Sequence, residues 1–268
     1  MRFSRGVIAI AVIVVVLAVG ISVGLYNLLK KTTPLAVIEE HCSVKTELGL
    51  DVEQAHIAAT IAAVGARRGL PERAVVIALA TALQESKLQN LEYGDRDSVG
   101  VFQQRSSQGW GKKKQLMDPV YATNKFFAAL VKVKNYRKIP LADAAQAVQR
   151  SAGGYAYAIH EEDAKLLASA FTGRVPKAVH CVYPPPKAKT PAPKARTDDA
   201  RKSLTRALGS TAAVTQRRGW LIASWSVAHA QKYGLRHVAY GGATWSAEPP
   251  SDDGWTAGKS SSTAVELS

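Results

Sequence analysis

Residues 80–103 read ATALQESKLQNLEYGDRDSVGVFQ. The first residues continue an apolar helical pattern that ends in Gln84-Glu85-Ser86, and a glycine-containing loop then leads to Gly100-Val101-Phe102-Gln103. A carboxylate at the edge of an apolar helix face is costly to desolvate while it is ionised, so this position predicts a raised pKa for Glu85. A carboxylic acid of that kind is suited to act as a general acid near neutral pH. The alternative is an ordinary exposed glutamate near a helix end.

Helical patterns flank this stretch on both sides. Asp51 begins one helix, with Gln54 at the position of a capping-box partner. Asp118-Pro119 is an N-cap followed by a proline at the first helical position. Two further helical segments are predicted near residues 141–150 and 160–171. The predicted fold class is therefore mainly α.

The Glu85-Ser86 pair and the segment that ends in Gln103 resemble two motifs of the lysozyme-like lytic transglycosylases, a Glu-Ser pair and a Gly-Leu-Met-Gln element. The resemblance covers roughly residues 51–172. It implies a lysozyme-like domain that cleaves the β-1,4 bond between N-acetylmuramic acid and N-acetylglucosamine in peptidoglycan, with Glu85 as the single general acid/base. By the same resemblance, Ser86 braces Glu85 or its loop, Gly100 permits close backbone approach beneath the cleft, and Gln103 bonds the loop or the sugar. The predicted substrate-binding residues are Ser86, Ser98, Gly100, Gln103, Trp110, Tyr155 and Tyr157.

A third motif of that family, Ala-Tyr-Asn-Ala-Gly, is altered in this chain. The aligned stretch, residues 149–153, places Arg150 at the tyrosine position and Ser151 at the asparagine position. Tyr155 and Tyr157 lie a few residues on, and either is a candidate to replace the missing tyrosine. The change leaves a second function open, that of a catalytically weak lysozyme-fold protein that binds or scaffolds the wall.

Two reaction outcomes also stay open. A transglycosylase needs one carboxyl group, because the C6 hydroxyl of N-acetylmuramic acid itself closes on C1. A hydrolase uses water, usually with a second carboxylate, for which Asp95 and Asp97 are candidates. The alternative for both is a solvated turn. The resemblance favours the transglycosylase, and Trp110 is expected either to stack on a sugar ring or to pack as a lid.

The N-terminal run Val7–Leu29 is apolar over 23 residues and carries no charge. As a helix it would be about 34 Å long, which is enough for the hydrocarbon core of a bilayer. It predicts a single-pass transmembrane anchor, with residues 1–6 in the cytoplasm and residues 30–41 as a stalk. A cleaved secretory signal, and hence a secreted protein, is the alternative.

The chain contains two cysteines, Cys42 and Cys181, which bracket the region that carries Glu85. A disulfide between them would join the two ends of one catalytic domain over residues 42–181, and such a bond persists in an oxidising compartment. The sequence thus predicts that this domain lies outside the cytoplasm. Two buried free thiols are the alternative.

Residues 182–202 are rich in proline, lysine and alanine and predict an extended linker. Residues 203–268 predict a small α/β module, which faintly resembles the D-Ala-D-Ala peptidase-like domain of bacterial wall proteins. The metal-binding histidines of that domain are missing, so His229 and His237 are expected to be packing or surface residues. No metal and no cofactor are predicted.

The whole chain of 268 residues has 35 basic and 21 acidic side chains and a formal charge of +14. Half of this excess lies in residues 182–218, which hold nine basic and two acidic side chains. The predicted partners are peptidoglycan and anionic wall polymers, together with the membrane through residues 7–29. Nucleic acid is not expected as a partner, because the basic linker lacks the interleaved aromatic residues on which bases stack.

Overall fold

The computed structural model of the protein describes residues 5–32, 40–45, 47–150, 154–183, 194–247, 254–260 and 263–268. The chain divides into Met1–Ile38 and Glu39–Ser268. Its helices are α1 (Arg5–Thr32), α2 (Val52–Arg67), α3 (Glu72–Ser86), α4 (Lys113–Leu116), α5 (Pro119–Leu130), α6 (Leu141–Gln149), α7 (Glu161–Phe171), α8 (Thr197–Leu208), α9 (Gln216–Ala228) and α10 (Ala230–Tyr233). Its strands are β1 (His41–Val44), β2 (Leu48–Leu50), β3 (Ser98–Val99), β4 (Gln104–Arg105), β5 (Val179–Val182), β6 (His237–Tyr240), β7 (Ala243–Ser246), β8 (Trp255–Ala257) and β9 (Glu266–Leu267). Short 3₁₀ helices span Ser106–Gln108 and Gly154–His160.

The N-terminal apolar run forms α1, but the prediction of a transmembrane anchor over residues 7–29 is wrong. Across the described residues, we find no helix that combines the length and the apolar character needed to cross a bilayer. A span needs about 20 consecutive apolar residues.

The helices α2 and α3 lie at the centre of Glu39–Ser268. Every residue of α2 from Ile57 to Gly65 is buried, because α2 is packed against α3, α5, α7, α8 and α9. Small side chains make this close packing possible. At Gly65 an added Cβ would lie 2.8 Å from Cγ2 of Val75, so the absence of a side chain lets α3 approach α2 at that point.

The helix signals read from the sequence are present at the predicted positions. The side chain of Gln54 accepts a hydrogen bond of 2.8 Å from the backbone N–H of Asp51 at the start of α2. The Asp118 side chain accepts from the backbone N–H of Val120 at 3.1 Å, which caps α5. The two helical segments predicted after α5 are confirmed as α6 and α7.

The two cysteines are joined in a disulfide, as predicted. β1 pairs antiparallel with β2 on one side and with β5 on the other, and Cys42 lies directly opposite Cys181 in the β1–β5 register. Both cysteines are fully buried. Strand pairing and the disulfide therefore join the beginning and the end of the segment that carries Glu85.

The C-terminal residues contain both helices and strands, and the strands form an antiparallel sheet in the order β8–β7–β6–β9. Trp220 of α9 makes edge contacts with Tyr240 and Trp255 on this sheet, at centroid distances of 5.3 and 5.4 Å. The indole N–H of Trp255 donates to the carbonyl of Val179 on β5 at 2.8 Å. The C-terminal residues thus pack on the same core as the helices around Glu85.

The linker predicted over residues 182–202 differs from the structure at its end. Residues 184–193 of that stretch lie outside the described residues. Residues 197–202 are not extended, because α8 begins at Thr197. The reason is an apolar stripe at helical spacing, which is buried against the core and consists of Ala200, Leu204, Ala207 and Leu208.

Candidate active site

Glu85 lies near the C-terminal end of α3 and is half-buried. The hydroxyl of Tyr157 donates a hydrogen bond to Oε1 of Glu85 at 2.6 Å. Tyr157 belongs to the 3₁₀ helix Gly154–His160 and is only 1% exposed. A phenol held by its surroundings therefore fixes one oxygen of a half-buried carboxyl group.

Ser86 connects α3 to the loop that follows β3. Its hydroxyl donates to the carbonyl of Val101 at 2.8 Å and lies 3.1 Å from the carbonyl of Ala82. The same oxygen accepts from the backbone N–H of Gln89 at 3.2 Å. Ser86 is buried, so it is a structural contact beside Glu85 rather than a group open to a ligand.

Residues 98–105 form a short hairpin in which β3 pairs with β4. Gly100 in its turn has a φ of +77°, and an added Cβ would lie 2.6 Å from the carbonyl oxygen of Leu116, so the position requires glycine. The close approach expected at Gly100 is thus made by Leu116. The side-chain amide of Gln103 donates to the carbonyls of Tyr93 and Gly100, at 3.3 and 3.2 Å, which places it on the loop. Ser98 is 6% exposed and its backbone N–H donates to the carbonyl of Asp95.

The two aspartates of the loop have different surroundings. Asp97 accepts hydrogen bonds of 2.8 Å from Nε of Arg105 and from both the backbone N–H and the hydroxyl of Ser107. These bonds, first that of the Ser107 backbone and then that of Arg105, hold the pKa of Asp97 far below its usual value. Asp95 is exposed, with its carboxylate 3.9 Å from Nε of Arg96. Asp97 therefore stays ionised and stabilises the hairpin.

The aromatic candidates differ in exposure. Tyr155 is 92% exposed, and Trp110 is half-buried against the core. The carbonyl of Trp110 accepts a hydrogen bond of 3.4 Å from the hydroxyl of Tyr121. Trp110 therefore packs with one side on the protein and leaves the other side open, while Tyr155 offers its whole ring to solvent.

The altered third motif is partly described. Residues 151–153, which include Ser151, lie outside the described residues. Gln149 ends α6, and its side-chain amide donates to the carbonyl of Phe102 at 2.8 Å. Arg150 follows with a φ of +55°. This stretch thus contacts the turn of the hairpin, while Tyr157 supplies the phenol that bonds Glu85.

Sequence reasoning missed two contacts that hold the end of α3. The side-chain amide of Gln54 donates to the carbonyl of Lys87 at 2.9 Å, so the capping residue of α2 also holds the turn after α3. A ring nitrogen of His160 lies 3.1 Å from Oε1 of Gln84, and partial burial lowers the pKa of that histidine although Asp163 opposes the shift. The capping-box pattern marks Gln54 in the sequence. No sequence pattern marks the contact between His160 and Gln84, because these residues are 76 positions apart in the chain.

The histidines of the C-terminal region do not gather into a ligand set. Within the ranges that the structure describes, histidine, cysteine and carboxylate side chains form no group of three that could hold a metal ion. His229 is buried and stacks between Trp225 and His56, at centroid distances of 3.9 and 4.6 Å. His237 is exposed on β6. His229 is therefore a packing residue and His237 a surface residue.

No family model matches this chain, and no curated protein matches it either.

Proposed function

We propose that this protein is a lysozyme-like peptidoglycan lytic enzyme that cleaves the β-1,4 bond between N-acetylmuramic acid and N-acetylglucosamine, with Glu85 as the general acid/base. The observation that carries the proposal is the hydrogen bond of 2.6 Å from Tyr157 to Oε1 of Glu85. It pairs a half-buried carboxyl group with a phenol close to the stretch where the resembling family has its tyrosine. Ser86 and Gln149 also hold the turn of the hairpin in place beside the end of α3.

The bond from Tyr157 assigns different roles to the two oxygens of Glu85. Because Oε1 accepts from the phenol, the proton of the neutral carboxyl group belongs on Oε2. Oε2 would donate that proton to the glycosidic oxygen as the bond to C1 breaks. The resulting carboxylate of Glu85 would then take the proton of the C6 hydroxyl, while the oxygen of that hydroxyl forms a bond to C1. The proton count of Glu85 is restored, and no water is consumed.

The surroundings of the two aspartates favour this route, which uses one carboxyl group. A hydrolase usually needs a second carboxylate to activate water or to stabilise the intermediate. Asp97 already accepts three hydrogen bonds within the hairpin, and Asp95 is exposed beside Arg96. The transglycosylase outcome, with a 1,6-anhydro sugar as the product, is therefore proposed ahead of hydrolysis.

The disulfide supports a location for this activity. Bonds of this kind form and persist outside the reducing cytoplasm. The Cys42–Cys181 bond joins the strands at both ends of the segment that carries Glu85. We therefore propose that residues 42–268 work outside the cytoplasm, where peptidoglycan lies.

The test is product analysis with the full chain. Wild-type protein, Glu85→Gln and the matched control Glu92→Gln, which changes an exposed carboxylate of the neighbouring loop, are incubated with purified peptidoglycan. We expect anhydro-muropeptides from wild type and Glu92→Gln, and none from Glu85→Gln. Products with a reducing end, heavier by one water, would make the enzyme a hydrolase. Absence of any soluble product from the wild-type protein would reject the enzymatic function.

A second function, wall binding with weak catalysis, is favoured by one observation. Arg150 stands at the position of the family's tyrosine and lines a groove separate from the Tyr157–Glu85 contact. Co-sedimentation with wall fragments, without released product, would support this function instead.

A further inference from the structure

A groove with a volume of about 780 Å³ lies between α5, the segment that follows it and the end of α6. Gln108 and Trp110, which follow β4, complete its wall. The groove is lined by four cationic side chains, and among the described residues that line it there is no carboxylate. The four cations are Lys125, Lys132, Lys134 and Arg150.

None of these four cations forms an ion pair with another residue that the structure describes. Residues 42–181 hold nineteen basic and thirteen acidic side chains, so cations exceed anions by six in this region. Of the residues described, the ion-paired ones include Arg73, Arg105 and Arg174 but none of the four cations of the groove. Unpaired charges of one sign in a concave surface raise the local concentration of oppositely charged ligands.

The apolar part of the groove lining consists of alanine and valine side chains. They come from α5, the segment after it and α6, and they are Ala128, Ala129, Val133, Ala147 and Val148. A lining that combines small apolar side chains with four cations fits an extended peptide that carries methyl groups and carboxylates. A chain of phosphodiesters has the charge but lacks the apolar groups that such a lining would cover.

The groove is connected to the Glu85 site through two consecutive carbonyls. The carbonyl of Val101 accepts a hydrogen bond of 2.8 Å from the hydroxyl of Ser86, which is next to Glu85. That of Phe102 accepts from Gln149, which lines the groove, also at 2.8 Å. The turn at Val101-Phe102 thus contacts both Ser86, the neighbour of Glu85, and Gln149, which lines the groove.

We propose that this groove binds the acidic peptide stems of the glycan strand, and that it thereby directs the protein to strands whose peptides are intact. The inference rests on the proposed function for the identity of the strand. What it adds to the proposed function is a site that determines specificity. In this site the carboxylates of the peptide are held by the four cations, Lys125, Lys132, Lys134 and Arg150. The alanine and valine side chains of the lining cover the aliphatic groups of the peptide. Because the cations are at the surface, added salt should weaken this contact.

Binding is measured separately from cleavage, with the full chain carrying Glu85→Gln. The probes are peptidoglycan sacculi with intact peptides and the same glycan strands stripped of peptides by an amidase. The test variant adds Lys132→Gln and Lys134→Gln to that chain. The control variant adds Lys202→Gln and Lys259→Gln, which remove the same charge from exposed sites outside the groove.

We expect tighter binding to intact sacculi than to stripped strands, and a loss of about fivefold in that preference for the groove variant only. Equal binding to both probes, or an equal loss in the control variant, would overturn the inference. Competition by poly(glycerol phosphate) that is lost in the groove variant, with no preference for peptides, would also overturn it. If wild-type protein releases no product but the peptide preference is present, the catalytic proposal fails while the groove inference stands.

Discussion

The hydroxyl of Tyr157 and Oε1 of Glu85 are 2.6 Å apart, although 72 residues separate them in the chain. The bond joins the end of α3 to the 3₁₀ helix Gly154–His160, two elements that pack directly against each other. Tyr157 is 1% exposed, so its ring cannot swing away without opening the core. The orientation of the carboxyl group therefore depends on a residue outside the motif that contains Glu85.

Replacing Tyr157 with phenylalanine should lower the rate of product release by about ten- to a hundredfold. The ring and its packing are kept, but one hydrogen bond to a carboxylate is lost, which is worth about 1.5–3 kcal/mol. The rate is measured by product analysis with peptidoglycan, alongside the melting temperature. Tyr155→Phe is the matched control, because that ring is 92% exposed and its loss of a hydroxyl should leave the rate unchanged. An unchanged rate in Tyr157→Phe would contradict the role assigned to the phenol.

Replacing Ser86 with alanine should destabilise the protein by about 1–3 kcal/mol, because it leaves a buried partner without its hydrogen bond. The affected group is the carbonyl of Val101, because the backbone N–H of Gln89 keeps its bond of 3.1 Å to the backbone carbonyl of Ser86. The measurement is the free energy of unfolding in urea. Ser107→Ala removes an exposed hydroxyl of the same loop and is the comparison. It should lower the free energy of unfolding by less than Ser86→Ala does. Equal losses in the two variants would argue against Ser86 as the brace of the hairpin turn.

The sequence was most informative where the determining contacts are local. Gln54 caps Asp51 three residues away, and Asp118 caps the helix that begins at the next residue, so both were readable as patterns. The choice between Tyr155 and Tyr157 was not readable in this way. Tyr155 and Tyr157 are two residues apart in a 3₁₀ helix of three residues per turn, so they point to different sides. The packing of this helix on α3, α6 and α7 decides which of the two is buried.

The same limit explains the error at the linker and the contacts that were missed. Proline and lysine dominate residues 182–196, and this composition concealed the apolar stripe that begins at Ala200. Such a stripe is stabilised as a helix when it packs on an apolar core. In this protein that core is supplied by α2, which lies much earlier in the chain. The stack of His56 on His229 likewise joins α2 to the end of α9, so no window of sequence contains both rings.

Removing the disulfide should lower the free energy of unfolding by about 2–5 kcal/mol. The bond links residues 139 apart, so its loss frees a long segment of the unfolded chain. The double variant Cys42→Ser and Cys181→Ser is compared with wild type by thermal unfolding, with and without a reducing agent. The reductant should lower the melting temperature of wild type and leave that of the variant unchanged. A reductant that leaves the melting temperature of the wild type unchanged would show that the bond is not formed in solution.

The stability of the protein should fall as the pH is lowered from 7 to 5, because of the stacked pair His56 and His229. Burial, and to a smaller degree the charge of Lys232, lowers the pKa of His56 from 6.5 to about 4. Burial, followed by the neighbouring His56, also lowers the pKa of His229. Between pH 6.5 and 4 the unfolded chain therefore binds more protons than the folded chain, and the free energy of unfolding decreases by at most about 1.4 kcal/mol per pH unit for each histidine.

Urea unfolding at pH 7, 6 and 5 measures this slope, and His56→Phe provides the comparison because it keeps an aromatic ring in the stack without a titrating group. The carboxylates whose pKa values are lowered, Asp97 and Glu161, lose their contribution only below about pH 4.5, so they do not enter this range. The charged groups that line the cavity beside the stack, Glu53, Asp118, Arg206 and Lys232, are the same in both proteins. The change in the free energy of unfolding with pH should therefore be smaller in His56→Phe than in wild type, by an amount that corresponds to the uptake of up to one proton. Equal slopes would mean that His56 is as freely protonated in the folded protein as in the unfolded chain.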